Sequence, residues 1–189
     1  MREFDITEQT KILDVGGTPY NWLLVDCPAQ ITLLNLNLPD PLPNLPINMK
    51  YIAGDGTALQ FDNKSFDVVF SNSVIEHLYS FDNQKKFANE VNRVGRSLWI
   101  QTPAYSFFFE PHFLTPFFHF FPKTVQKKLA RNFTLWGWIT RPSLEFSNKV
   151  IDEINLLTFQ QLQSLFPDCN IRKERILGLA TKSFIAVRK

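Results

Sequence analysis

Cysteine, glycine and net charge are all scarce in this chain of 189 residues. Its two cysteines, Cys27 and Cys169, form neither a metal-binding motif nor a disulfide framework, which fits a reducing compartment. A net charge of +2 gives no whole-chain electrostatic attraction to nucleic acid. No apolar run is as long as a membrane span, and the first residues lack the pattern of a signal peptide. We therefore expect a cytoplasmic protein with no nucleic-acid partner.

The remaining composition is that of an ordinary globular protein, with 44% hydrophobic and 20% charged residues. A chain of this length can bury a substantial core. No repeat, low-complexity tract or linker divides it, so we predict one domain over residues 1–189. Phenylalanine is the unusual residue, because eight of the 19 fall between positions 107 and 121.

Short apolar runs bounded by glycine, proline and asparagine predict buried strands. These are Ile12–Val15, Ile31–Leu36, Lys50–Ala53, Phe66–Phe70 and Arg96–Gln101, then a hairpin of Asn170–Leu177 and Thr181–Val187. Helical segments are predicted at Pro19–Asp26, Ser71–Leu78, Asp82–Val94, Lys123–Arg131 and Ile154–Phe166. This alternation predicts an α/β fold: a Rossmann-like, doubly wound, mostly parallel seven-stranded sheet with helices on both faces and a C-terminal antiparallel hairpin.

The first strand runs directly into a glycine turn, and this junction predicts a ligand pocket. Asp14 lies near the end of the strand, followed by Gly16 and Gly17. In open α/β sheets, ligands bind in the crevice at the carboxyl ends of the strands. The turn lacks the third glycine of the G-x-G-x-x-G motif that cradles a pyrophosphate. Two glycines suit a smaller ligand whose polar end is an amino-acid carboxylate.

The next two strands end in polar side chains at the same edge. Asn35 lies 19 residues beyond Gly16, close to the step at which nucleotide-binding folds place a ribose-binding side chain. Asp55 follows the third strand between two glycines, where it can accept a hydrogen bond from an exocyclic amine such as that of adenine. For Asp14 and Asn35, roles as turn residues remain the alternatives.

Four segments in this order resemble the class I S-adenosylmethionine-dependent methyltransferases, and most closely the methyltransferase type 11 group. They are ILDVGGT, GDGTALQF, SFDVVFSNSVIEHL and RSLWIQTPA. The resemblance implies S-adenosyl-L-methionine as the cofactor. It implies a cofactor site formed by Asp14, Gly16 and Gly17 (methionine part), Asn35 (ribose), Asp55 and Gly56 (adenine), and Asn72 and Ser73 (pocket wall). The chain departs from the family where Thr18 and Tyr20 replace glycines and where Asn35 replaces an acid.

All three histidines follow predicted strands four and five, at the binding edge. Any of them can act as a general base, and His112 is favoured because Glu110 is close enough to orient it. We therefore predict His112, His77 and Glu110 as the catalytic candidates. The alternatives are a packed helical His77, an interfacial His119 and a Glu76 that caps or pairs locally. The segment Glu110–His112 lacks the further ligands of a metal site, so we predict none.

Residues 103–150, which contain the aromatic cluster, are predicted to form a lid or a substrate-binding insertion. Three interpretations are open: a lid packed on the core, an apolar substrate pocket, and a surface that contacts a membrane peripherally. The last is supported by the basic residues Lys123, Lys127, Lys128 and Arg131 just beyond the cluster.

The predicted function is methyl transfer from S-adenosylmethionine to a small-molecule acceptor, with an apolar or lipid-linked acceptor suggested by the aromatic segment. A non-catalytic protein derived from a methyltransferase is the first alternative, because the glycine motif is altered. A nicotinamide-dependent oxidoreductase is the second, and the missing third glycine disfavours it.

Overall fold

A seven-stranded sheet forms the centre of the computed structural model, which describes residues 3–25 and 27–189. Its strands in chain order are β1 (Lys11–Val15), β2 (Gln30–Asn35), β3 (Met49–Ala53), β4 (Phe66–Asn72), β5 (Gly95–Pro103), β8 (Asn170–Ile176) and β9 (Ala180–Arg188). In space they run β3-β2-β1-β4-β5-β9-β8. Only β9 is antiparallel to its neighbours, β5 and β8. The predicted mostly parallel sheet with a C-terminal hairpin is confirmed.

Two unequal layers cover the sheet. On one face lie α2 (Phe81–Val94) and α6 (Phe159–Leu165), which bury residues such as Phe87 and Leu162 against β1, β4 and β5. On the other face, Trp22 from the short α1 (Pro19–Leu23) packs against Ile12, Ile31 and Val68. Apolar residues occur on both sides of β1 because a central parallel strand is buried on both faces.

The part of the chain that connects β5 to α6 forms a small core of its own. This segment contains the two-stranded β6 (Phe109–Glu110) and β7 (Thr115–Pro116), followed by α3 (Lys123–Phe133), α4 (Leu135–Thr140) and α5 (Leu144–Glu153). Phe113 and Phe118 are buried against Ala130 and Ile151 in a cluster separate from the sheet core. We call residues 103–150 the aromatic segment. Across residues 3–25 and 27–189, no helix has the length and apolarity needed to cross a membrane.

Three helix predictions need correction. Ser71 and Asn72 still belong to β4, and only a 3₁₀ turn at Ile75–His77 follows, because left-handed Ser73 (φ 57°) turns the chain away from the strand. The helix predicted at Ile154–Phe166 begins at Phe159, because Leu157 bridges Ala104 and Thr158 caps the helix with Gln161. The helix predicted at Pro19–Asp26 ends at Leu23, and Asp26 lies outside the described residues.

Candidate functional site

The carboxyl ends of the first four strands bring the predicted cofactor residues to one edge of the sheet. Asp14 in β1 is paired with Leu33 in β2 and Phe70 in β4, and Asn35 in β2 is paired with Ala53 in β3. Because these strands are parallel, the loops that follow them leave the sheet on the same side. The arrangement predicted from the strand ends is therefore present.

Asp14 and the glycine turn form the centre of this edge. Asp14 is only 1% exposed, and its Oδ2 accepts a hydrogen bond from Trp22 Nε1 at 2.6 Å. Its Oδ1 is buried and has no partner among the described residues. Burial raises the pKa of the Asp14 carboxyl to about 7, although the hydrogen bond from Trp22 acts in the opposite direction. Asp14 therefore retains a free acceptor atom at the sheet edge.

Both glycines of the turn are required by close approaches. Gly16 has a left-handed φ of +76°, and its N–H donates to Leu34 O at 2.7 Å. A Cβ on Gly17 would lie 1.8 Å from Asp14 Oδ2. The backbone of the turn thus lies directly against the carboxylate, and no larger residue fits at position 17 without displacing it.

Asn35 supports the turn. Its Nδ2 donates to Gly17 O at 2.8 Å, which fixes the side chain and leaves Oδ1 as its hydrogen-bond acceptor. A carboxylate at this position could not make the same bond to a carbonyl oxygen. An amide at position 35 therefore has a local structural reason.

Asp55 and Gly56 follow β3 on the adjacent loop. One carboxylate oxygen of Asp55 accepts hydrogen bonds from Thr57 N and Thr57 Oγ1, both at 2.8 Å, which forms an Asx turn. Asp55 is exposed, so its other oxygen faces solvent at the edge. A Cβ on Gly56 would lie 2.9 Å from Val15 Cγ1, so the loop packs closely on the end of β1.

Asn72, the last residue of β4, and Ser73 after it line a cavity of about 530 Å³. The aromatic segment also lines this cavity, with residues that include Phe107, Phe109 and Pro111. Ser73 Oγ donates to Gln101 Oε1 at 2.9 Å, which links the ends of β4 and β5. Two of the predicted cofactor residues, Asn72 and Ser73, therefore share one cavity with the aromatic segment.

The predicted catalytic residues converge beside this edge. The rings of His77 and His112 meet edge-to-face with centroids 4.9 Å apart. His112 Nδ1 lies 2.6 Å from Glu110 Oε1, and His77 Nδ1 lies 3.1 Å from Glu153 Oε1. The structure therefore brings together His77, His112 and Glu110 and adds Glu153. His119 lies on the other side of Glu110, with Nδ1 3.6 Å from Glu110 Oε2 and Nε2 2.9 Å from the Tyr105 carbonyl oxygen.

The two histidines differ in their electrostatic environment. Burial and the charge of His112 lower the pKa of His77, against the opposing effect of Glu153. For His112, burial also acts to lower the pKa, but the hydrogen bond and the charge of Glu110 outweigh it and raise the pKa above its usual value. His112 is therefore the more basic of the two rings.

Glu76 is the residue that the sequence interpretation missed. It does not pair locally: its Oε2 accepts from Thr102 Oγ1 at 2.9 Å, and its other oxygen, Oε1, is buried without a partner among the described residues. Glu76 is 0% exposed, and burial raises the pKa of its carboxyl to about 7. One oxygen of Glu76 and one ring nitrogen each of His77 and His112 all lie within 4.8 Å of one another. The adjacent Glu-His pair after a buried strand was the available sequence signal.

One family model matches part of the chain. Residues 12–97, from β1 into β5, match the sequence model of the methyltransferase domain family. No curated protein sequence matches the chain.

Solved structures share the fold at low sequence identity. A SAM-dependent methyltransferase from Methanosarcina mazei is 15% identical, with 96% of this chain and 92% of that chain covered and a TM-score of 0.53. A Rhodobacter sphaeroides protein, provisionally described as a zinc-dependent alcohol dehydrogenase, is 13% identical over 97% and 85% of the two chains, with a TM-score of 0.61. PigF, solved with SAH, is 12% identical over 98% and 58%, with a TM-score of 0.56. Likeness at these identities shows the fold alone.

Proposed function

With residues 12–97 identified as a methyltransferase domain, we propose that the chain is an S-adenosylmethionine-dependent methyltransferase acting on an apolar small molecule. The observation that carries this proposal is the turn after β1, where Gly17 packs on a buried Asp14 whose Oδ1 has no partner among the described residues. A turn with two glycines can hold the amino-acid end of this cofactor and is a poor site for a pyrophosphate.

The residues present fit the cofactor in three places. Asp14 Oδ1 is a buried acceptor at the sheet edge, suited to a donor group of the methionine part. Asn35 presents Oδ1, which can accept a hydrogen bond from a ribose hydroxyl. Asp55 presents an exposed carboxylate oxygen, which can accept from the amino group of adenine. Gly56 keeps this loop close to β1, so these acceptors share one edge.

When bound, S-adenosylmethionine supplies an activated methyl group, which an acceptor nucleophile takes by in-line displacement at the methyl carbon. The contribution of the chain is then to position the acceptor, exclude water and accept any proton released. We assign proton acceptance to the cluster of His77, His112 and Glu110. Glu110 is 0% exposed and fixes His112 through a 2.6 Å contact to Nδ1, which leaves Nε2 to act on a hydroxyl acceptor.

The cavity supports an apolar acceptor. Phe107 and Phe109 line it together with Asn72 and Ser73, so an acceptor bound there would contact both aromatic rings and the end of β4. The outer surface of the aromatic segment exposes Phe117 and Phe121 next to the basic helix α3. Exposed rings beside basic side chains also suit delivery of a lipid-linked acceptor from a membrane surface.

Isothermal titration calorimetry of the full chain with S-adenosylmethionine, S-adenosylhomocysteine and NADH tests the cofactor. We expect both sulfur ligands to bind and NADH not to bind. Failure of both sulfur ligands to bind would refute the proposal, whereas binding of NADH alone would support an oxidoreductase. Binding without methyl transfer to any of a broad panel of acceptors would favour a non-catalytic protein.

Native mass spectrometry of the purified protein tests the acceptor class. We expect a retained apolar compound, and we expect Phe107→Ala and Phe109→Ala to lose it while they still bind S-adenosylhomocysteine. A polar retained compound that survives both substitutions would contradict the assignment of the cavity.

A further inference from the structure

We propose that Glu76, His77 and His112 bind one divalent transition-metal ion at the end of β4. One oxygen of Glu76 and one ring nitrogen of each histidine lie within 4.8 Å of one another, so a single ion can contact all three. Glu76 and His77 come from the 3₁₀ turn after β4, and His112 comes from the aromatic segment. The segment Glu110–His112 therefore obtains its missing ligands from a distant part of the chain.

Hydrogen bonding prepares both histidines to be ligands. His112 Nδ1 lies 2.6 Å from Glu110 Oε1, and His77 Nδ1 lies 3.1 Å from Glu153 Oε1. In neutral rings, each Nδ1–H donates to its carboxylate, so each Nε2 keeps a free lone pair. Metal-binding histidines almost always have such a partner on the second ring nitrogen, because it fixes the ring and increases its basicity.

The buried Glu76 carboxylate points to a bound cation independently of the arrangement of the three side chains. Glu76 is 0% exposed, yet Oε1 has no partner among the described residues. A buried carboxylate oxygen without a partner carries the desolvation penalty of that group with no hydrogen bond to offset it. Thr102 already occupies the other oxygen, at 2.9 Å, so it holds the carboxylate in place. A cation bound at Oε1 would satisfy this atom and offset the burial of negative charge.

The donor set selects the class of metal. Two imidazoles and one carboxylate suit zinc, cobalt, manganese or iron as divalent ions, whereas magnesium and calcium prefer all-oxygen sites. The side chain of His77 is 32% exposed and that of His112 is 19% exposed, so solvent reaches the site. The ion therefore keeps coordination positions for water or for another oxygen ligand.

An open position on the ion adds to the chemistry of the cluster. A divalent ion lowers the pKa of an oxygen ligand such as water or a hydroxyl group. With both histidines bound to the ion, the proton that an acidified hydroxyl acceptor releases would pass to the solvent that reaches the site, and not to His112. This catalytic consequence rests on the proposed methyl transfer, but binding of the ion does not depend on it.

Titration of the chelator-treated full chain with Co²⁺ tests the site, because d–d absorption reports the coordination of the ion directly. We expect saturation at one Co²⁺ per chain, and we expect Zn²⁺ to displace it in calorimetry. The measurement is made without S-adenosylmethionine, and cofactor binding is measured separately with chelator present. Failure of metal binding is thus distinguishable from failure of the proposed function.

Three variants identify the ligands, and a fourth is the matched control. We expect His77→Ala, His112→Ala and Glu76→Gln each to abolish saturable Co²⁺ absorption. The control is His119→Gln, which removes a histidine that contacts the other oxygen of Glu110 but lies outside the group of three, and it should retain the absorption.

Circular dichroism and thermal unfolding of each variant show whether the fold is kept, and Glu110→Gln supplies a milder perturbation. We expect this loss of a carboxylate partner to weaken Co²⁺ binding roughly 10- to 100-fold. The proposal is overturned if the unmodified chain gives no d–d absorption. It is also overturned if His119→Gln removes the absorption while folded His77→Ala and His112→Ala retain it.

Discussion

Substitution of Asp14 by asparagine should make the protein's stability less dependent on pH. The Asp14 carboxyl is 1% exposed and has one hydrogen bond, from Trp22. Burial raises its pKa from 3.8 to about 7. Between these two values the unfolded chain releases a proton that the folded chain keeps, so the stability that Asp14 contributes is lost as the pH rises toward 7. At about 1.36 kcal/mol per pKa unit, the full effect is about 4 kcal/mol.

Asparagine has nearly the same shape, keeps an oxygen acceptor for Trp22 and does not ionise. We therefore expect Asp14→Asn to match the unmodified chain near pH 4 and to exceed its free energy of unfolding by up to about 4 kcal/mol at pH 8. Urea unfolding followed by circular dichroism between pH 4 and 8 measures this difference. Glu76 also has a raised pKa, but it is present in both proteins, so its contribution cancels.

Trp22→Phe is the companion variant, because it removes the indole N–H whose hydrogen bond to Asp14 lowers the pKa of that carboxyl. Without this hydrogen bond the pKa of Asp14 in the folded chain should rise further, so the free energy of unfolding should continue to fall to a higher pH. A difference between Asp14→Asn and the unmodified chain that stays constant from pH 4 to 8 would refute the reasoning. That result would mean that Asp14 ionises as readily in the folded chain as in the unfolded one.

Three further predictions follow from the same edge of the sheet. Gly17→Ala places a Cβ 1.8 Å from Asp14 Oδ2, so we expect calorimetric binding of S-adenosylhomocysteine to be lost and urea unfolding to show a loss of about 1–3 kcal/mol; unchanged binding would contradict this. Asn35→Ala removes the hydrogen bond to Gly17 O and should weaken the binding of S-adenosylhomocysteine about tenfold, which corresponds to a loss of about 1.4 kcal/mol in binding free energy. An unchanged affinity would argue against a ribose contact. Zn²⁺ at 100 times its dissociation constant should raise the free energy of unfolding by about 2.7 kcal/mol, and His112→Ala should abolish this gain; equal stabilisation of both proteins would place the ion elsewhere.

The sheet was predictable because its central strands are buried on both faces and are therefore continuous apolar runs. The cofactor edge followed from this, since residues such as Asp14, Asn35 and Asp55 come at the ends of successive parallel strands. The aromatic segment was harder to predict. Helices α4 and α5 were missed because they bury only a few residues, Gly137, Ser147 and Ile151 among them, and lack a clear apolar stripe.

Glu76 shows why the candidate site could be predicted only in part. Its neighbour His77 was placed at the binding edge from the sequence, but a glutamate beside a histidine also fits a local cap. Its hydrogen-bond partner Thr102 is 26 residues away, and His112 reaches it only through the turn of β6 and β7. Sequence spacing cannot reveal a group assembled from a strand end and an inserted segment.

The aromatic segment and the candidate metal ligands belong to one structural arrangement. Its small core around Phe113 and Phe118 is separate from the core of the sheet. Polar contacts just after the segment join the two: Asn155 N donates to Glu76 O at 2.7 Å, and Tyr79 N donates to the backbone oxygen of Glu153 at 3.1 Å. An ion held by Glu76, His77 and His112 would add a bond between the two parts at this same point. Because the cavity also lies between β4 and the aromatic segment, metal binding and the shape of the acceptor site would depend on the same junction.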